Sequence, residues 1–187
     1  MNPNIPLNCT SPMTIADGYT VQNYGGTNYG TKTLAQATAV SSNTGYAQVA
    51  LAIGNDKIIS MCKDLGIDTE AAGMDPSVLS LTLGAMAQGI TPLEMAEAYA
   101  TFASGGQHRN AVAVTEITSR SGATLYKHED KYDQVLTTGE AQAVTNVLKT
   151  VMQGGGTGSS GALSVNQPVA GKTGTAGDAG TTSDIWF

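Results

Sequence analysis

A mixed α/β domain of the α+β type is predicted by three observations. Helical periodicity dominates residues 33–65, two capping-box signatures open further helices mid-chain, and strand-like runs gather towards the end. A length of 187 residues suits one domain with a buried core. Hydrophobic residues supply 41% and charged residues 13%, the balance of a chain that folds rather than stays disordered. With 23 glycines and only 5% aromatics, the core is expected to be Ala, Val, Leu, Ile and Met between many turns.

Residues 1–31 are rich in Asn, Pro, Gly and Thr without periodicity and read as an irregular first segment of the same domain. Asn23-Tyr24-Gly25-Gly26 and Asn28-Tyr29-Gly30 form a small tandem echo, read as turn chemistry because two copies make no solenoid. Helical pattern runs over 33–40, breaks at Ser41-Ser42-Asn43-Thr44 and resumes over 45–53, a helix–loop–helix join. Asn55-Asp56 is the expected cap of a third helix, with Ile58, Ile59, Cys62 and Leu65 inward. Thr91-Pro92-Leu93-Glu94 is a capping box with Pro at the first helical position; its helix should reach about Ser104, with Leu93, Ala96, Ala98, Tyr99, Phe102 and Ala103 as core. Val112, Val114 and Ile117 suggest a strand, turned at Ser121-Gly122 and answered over 123–126 as a hairpin. Thr137 and Glu140 repeat the capping-box spacing before Ala141, Val144, Val147, Leu148 and Val151. After a Gly/Ser-rich turn over 154–161, a strand is expected over 169–175, then a Gly-rich turn and a last strand from Asp184.

The chemistry is concentrated in Lys172-Thr173-Gly174 and, far upstream, Ser41-Ser42-Asn43. A strand-borne lysine offers a cation to a substrate carboxylate, a threonine adds a hydroxyl, and a glycine lets a flat substrate backbone approach. A serine beside a lysine can relay a proton, and an asparagine amide can hold a carbonyl. Ser-x-Asn and Lys-Thr-Gly are two of the three motifs of penicillin-interacting serine enzymes; the third, the nucleophile's Ser-x-x-Lys, should precede both, and nothing upstream of Ser41 fits it. Ser60-Met61-Cys62-Lys63 matches formally but follows Ser41 and reads as chance. A phosphate-binding loop is rejected, since its first glycine falls on Asn166 and no helix is signalled after Thr173. His108 and His128 are isolated near turns and read as surface residues; no metal spacing appears and no cofactor is called for.

Along almost its whole length beyond about Tyr19, the chain resembles the transpeptidase domain of class A, bifunctional penicillin-binding proteins. The resemblance is carried by Asn23-Tyr24, Tyr29-Gly30, Thr33-Leu34-Ala35, Ser41-Ser42-Asn43, Ile90-Thr91-Pro92-Leu93-Glu94-Met95-Ala96, Ala98-Tyr99-Ala100-Thr101-Phe102-Ala103, Gly156-Thr157-Gly158, Ala170-Gly171-Lys172-Thr173-Gly174-Thr175 and Asp184-Ile185-Trp186-Phe187. It implies a serine β-lactamase/DD-transpeptidase-like fold, incomplete here, with 32–187 as a partial transpeptidase domain lacking C-terminal strand(s). It implies acyl transfer from D-Ala-D-Ala stem peptides of peptidoglycan and reaction with β-lactam antibiotics. By position, Ser41 would relay the proton, Asn43 would clamp the substrate amide, and Lys172 would steer Ser41 and the substrate carboxylate. Thr173, Gly174 and Thr175 would bind that substrate, the Thr175 N–H forming half of the oxyanion hole. No nucleophile is present, so the chain by itself is expected to be inactive. A β-lactamase-like hydrolase and a non-catalytic D-Ala-D-Ala or β-lactam binding remnant share the same motifs.

Nine basic against fifteen acidic residues, a net charge of −6, argue against nucleic-acid binding. Cys9 and Cys62 allow one bridge or two free thiols. The start of the chain has neither a basic region nor an apolar segment, and no run approaches the ~20 apolar residues of a membrane span. Extracytoplasmic location and membrane association, implied by the resemblance, would depend on segments beyond these residues.

Overall fold

Short strands, not irregular loop, open the fold. The computed structural model describes residues 1–165, 167–176 and 184–186; Asn166, the expected Gly-rich turn over 177–183 and Phe187 lie outside them. Strand β1 (Pro6–Asn8) pairs antiparallel with β4 (Thr31–Thr33), and between them β2 (Met13–Thr14) pairs with β3 (Thr20–Val21). The tandem echo is more than a turn. Asn23 is 2% exposed, and its amide donates to Cys9 O at 3.0 Å and Thr27 O at 2.9 Å.

Helix α1 (Leu34–Ala39) begins at Thr33, whose hydroxyl accepts the Gln36 N–H while Gln36 Oε1 accepts the Thr33 N–H, at 3.2 and 2.9 Å. The expected break follows, and α2 (Asn43–Ile53) starts two residues earlier than the periodicity suggested because the Ser42 hydroxyl caps it through Gly45 N–H at 3.1 Å. Helix α3 (Asn55–Asp64) is not capped by Asn55 or Asp56: Gly54 holds the N-cap, and the Asn55 amide is spent on Pro76 O and Val78 O, both at 2.9 Å.

The capping box at Thr91 opens α4 (Pro92–Ala103), with Glu94 Oε2 accepting the Thr91 N–H at 2.9 Å and Ser104 closing the helix. Its inner stripe is narrower than expected. Ala98 and Thr101 are buried, but Leu93, in the overhanging first turn, is 60% exposed, and Ala96 and Ala103 face out. Next come β5 (Gln107–His108), the hairpin of β6 (Glu116–Thr118) and β7 (Thr124–Lys127), and β8 (Asp133–Gln134), which pairs with β5. The first hairpin strand begins at Glu116, so Val112 and Val114 precede it, and both strands are exposed throughout. His108 is half-buried rather than on the surface, its Nδ1 3.2 Å from Thr101 Oγ1.

Helix α5 (Thr138–Val151) carries the third capping box, Thr137 with Glu140, and buries Ala141 and Val151 while Val144, Val147 and Leu148 are half-buried. It packs on α1 and α4. The strand expected over 169–175 is confined to β9 (Gly174–Ala176), because its partner β10 (Asp184–Trp186) reaches only those residues. Two core clusters underlie this frame: Leu7, Cys9, Ala37 and Val49 beneath α1 and α2, and Leu65, Ile67 and Ala98 beneath α3 and α4. Both cysteines are free thiols. Among the described residues no helix is long and apolar enough to cross a membrane.

Candidate active site

The α1–α2 join and the approach to β9 meet at one cavity of about 320 Å³, lined by Ser41, Asn43, Lys172, Thr173, Gly174 and Thr175. All six residues singled out in the sequence therefore share one site. One contact in it spans 131 positions: Lys172 Nζ donates to Ser41 Oγ at 2.7 Å and also to its neighbour Thr173 O at 2.7 Å. Two bonded partners leave one ammonium proton for a ligand. Burial holds Lys172 below the ordinary lysine pKa, since leaving water disfavours its charged form.

Asn43, at the first position of α2, donates to Gln22 O at 2.8 Å, which fixes the amide and leaves its oxygen and second N–H available. Thr173 Oγ1 lies 2.6 Å from Thr157 Oγ1, and the Thr157 N–H reaches Ala39 O at 3.0 Å. Thr157 thus ties the Lys-Thr-Gly segment to the end of α1. The turn that carries it must lie tight on α5, because a Cβ on Gly156 would stand 2.2 Å from Val151 O.

Several lining residues carry no motif signal. Tyr46 on α2 bonds Thr38 Oγ1 at 2.7 Å, and Tyr99 on α4 stacks edge-on against Phe102. Burial raises the pKa of both phenols, so they face the cavity as neutral hydroxyls. Thr82 Oγ1 is buried at the same cavity without a partner among the described residues. The sequence marks Tyr99 only as a core position of α4 and does not mark Tyr46, because nothing in the spacing of either helix distinguishes a cavity-facing phenol from a packed one. Among the described lining residues Lys172 alone is charged, so the cavity is a cationic point set among hydroxyls on an acidic chain. Ser60 and Lys63 are both exposed on α3 and neither lines this cavity.

The family model of the penicillin binding protein transpeptidase domain matches residues 7–187. The chain belongs to that family. Penicillin-binding protein 4 of Bacillus subtilis is 34% identical over 171 residues, 90% of this chain and 26% of its own length. Penicillin-binding protein 1F of the same species is 31% identical over 172 residues, 90% of this chain and 23% of its own length. This transpeptidase-domain chain thus spans about a quarter of the length of the curated relatives it matches. The crystal structure of the D,D-transpeptidase domain of a peptidoglycan glycosyltransferase from Eggerthella lenta superposes with a TM-score of 0.81 at 26% identity, covering 100% of this chain and 51% of that one. Penicillin-binding protein A of M. tuberculosis, as an imipenem acyl-enzyme, shares the fold at a TM-score of 0.83 and 22% identity, covering 100% and 46%. The serine β-lactamase-like fold expected from the sequence is the fold of this transpeptidase-domain chain.

Proposed function

We propose that this chain supplies the Ser-x-Asn and Lys-Thr-Gly parts of a class A transpeptidase site, which transfers acyl groups from D-Ala-D-Ala stem peptides and is acylated by β-lactams. The observation that carries the reading is the 2.7 Å bond from Lys172 Nζ to Ser41 Oγ at the edge of the shared cavity. Because Ser41 accepts from Lys172, its own proton is free to point into the cavity. In the reaction a serine hydroxyl attacks the peptide carbonyl while its proton passes to the base of its own Ser-x-x-Lys motif, and the tetrahedral intermediate expels the D-Ala nitrogen. Ser41 gives its proton to that nitrogen and regains one from Lys172, whose lowered pKa favours the transfer. The Ser-x-x-Lys base afterwards restores the proton that Lys172 gives up. Thr173 and Thr175 hydroxyls and the Lys172 charge meet the substrate carboxylate, Gly174 admits its backbone, the Asn43 amide holds its carbonyl, and the Thr175 N–H serves the oxyanion.

The attacking serine is proposed to lie outside residues 1–187, in a protein that works on the extracytoplasmic face of the membrane. The test is labelling with fluorescent penicillin. The full-length protein is expected to form a covalent adduct at a serine outside this stretch, and the 187-residue chain alone to form none. An adduct mapped to Ser41 or Ser60 overturns this division of roles. Rapid turnover of a chromogenic cephalosporin by the full-length protein points instead to a hydrolase.

A further inference from the structure

Helix α1 ends at the residue on which the site depends, in a conformation that disfavours it. The Ser41 N–H bonds Thr38 O at 3.1 Å and the Ser42 N–H bonds Ala37 O at 2.9 Å, the paired bonds of a Schellman stop. That stop requires a left-handed residue, ordinarily glycine. Here it is Ser41, with φ 54°, the only non-glycine residue of positive φ among the described residues. Such a conformation persists only where surrounding structure over-determines it. The bonds of α1 supply one side of that constraint, and the other side converges on Asn23. Asn23 Oδ1 accepts from Ser42 Oγ at 3.1 Å, from Thr44 N–H at 3.1 Å and from Thr44 Oγ1 at 3.2 Å. Its own amide is anchored to Cys9 O and Thr27 O, so both its donors are used.

We propose that Asn23 is a positioning residue for the reaction: by pinning Ser42 and Thr44 it keeps Ser41 in the left-handed turn, with its hydroxyl on Lys172. The inference rests on the proton-relay reading of Ser41. Asn23 does not line the cavity, so its influence on chemistry passes through the turn it holds, Ser41 first and Asn43 beside it.

The test is β-lactam acylation by the full-length protein, with active sites titrated so that rates are per competent site. Asn23→Ala is expected to lower the acylation rate constant at least tenfold, towards the ~10²-fold that a 1 Å misplacement costs, with the pre-covalent binding constant within about twofold of the parent. A purely structural role would lower the thermal midpoint and the fraction of competent sites but leave the rate per site unchanged. Thr44→Val, which removes one donor to Asn23 at nearly constant shape, gives a smaller fall in the same constant and decides the question if Asn23→Ala does not fold. In a Ser41→Ala background, the cost of Asn23→Ala should shrink markedly. An unchanged rate per site in the single variants, or an undiminished cost in the Ser41→Ala background, overturns the positioning role alone. Failure of the parent to acylate overturns the functional reading and this inference with it.

Discussion

A serine in the left-handed region carries a cost of ~1 kcal/mol relative to the glycine that usually ends a helix this way. Ser41 bears that cost to place its hydroxyl 2.7 Å from Lys172 Nζ. Ser41→Gly is therefore expected to stabilise the fold by up to ~1 kcal/mol and to slow acylation sharply, read as a raised thermal midpoint beside a slower-forming penicillin adduct. A lowered midpoint would mean that the Lys172 bond outweighs the backbone strain. Site residues differ in how clearly the sequence announced them. Ser41, Asn43 and Lys172 to Thr175 stood out because their chemistry is written in short fixed spacings. Asn23 did not, because the groups it binds, Cys9, Thr27, Ser42 and Thr44, are brought together only by the fold.

Among the elements, those with local stop and start signals were read most accurately. Helices α4 and α5 begin where Thr91-Pro92-Leu93-Glu94 and Thr137 with Glu140 said they would, since a capping box is made by four consecutive residues. The strand over 169–175 was read too long, because ladder length is set by a partner elsewhere in the chain; β10 reaches Gly174–Ala176, while the Gly171 N–H turns to Leu148 O of α5 at 3.5 Å. Thr137→Ala is expected to cost ~1 kcal/mol, measured by denaturant midpoint. Hydrogen bonds from Thr137, first its side chain and then its backbone, hold the Glu140 carboxyl below its ordinary pKa. The bonds to a charged carboxylate therefore stabilise the fold above the ordinary glutamate range and are lost as pH falls through the folded-state value. The gap between Thr137→Ala and the parent should narrow on acidification, and a gap independent of pH would show that the carboxylate plays no part.

Across the whole molecule, one half-buried cation, Lys172, makes stability depend on pH in the opposite sense to a solvated lysine with a carboxylate partner. The unfolded chain holds the Lys172 proton more tightly than the native state does, because burial depresses the native pKa. The cost is full below the folded-state value, and stability rises with pH from there to the ordinary lysine range, where it disappears. Lys172→Met keeps the chain length and removes the charge. Its thermal midpoint is expected to equal or exceed that of the parent at neutral pH, and its stability curve to lack the rise at alkaline pH. A clearly lower midpoint at neutral pH would show that the bonds to Ser41 and Thr173 outweigh desolvation.

Cys9 offers a clock for the integrity of the site. Its side chain is fully buried in the core beneath α1 and α2, its carbonyl receives the Asn23 amide, and a Cβ on Gly45 would stand 3.0 Å from its sulfur. Cys62, half-buried on α3, is the only other thiol. A thiol reagent can reach Cys9 only when the packing that supports Ser41 and Asn43 parts, so its alkylation rate under native conditions measures how often that support opens. Ligands that close the site should slow that clock while leaving Cys62 to react at its own pace.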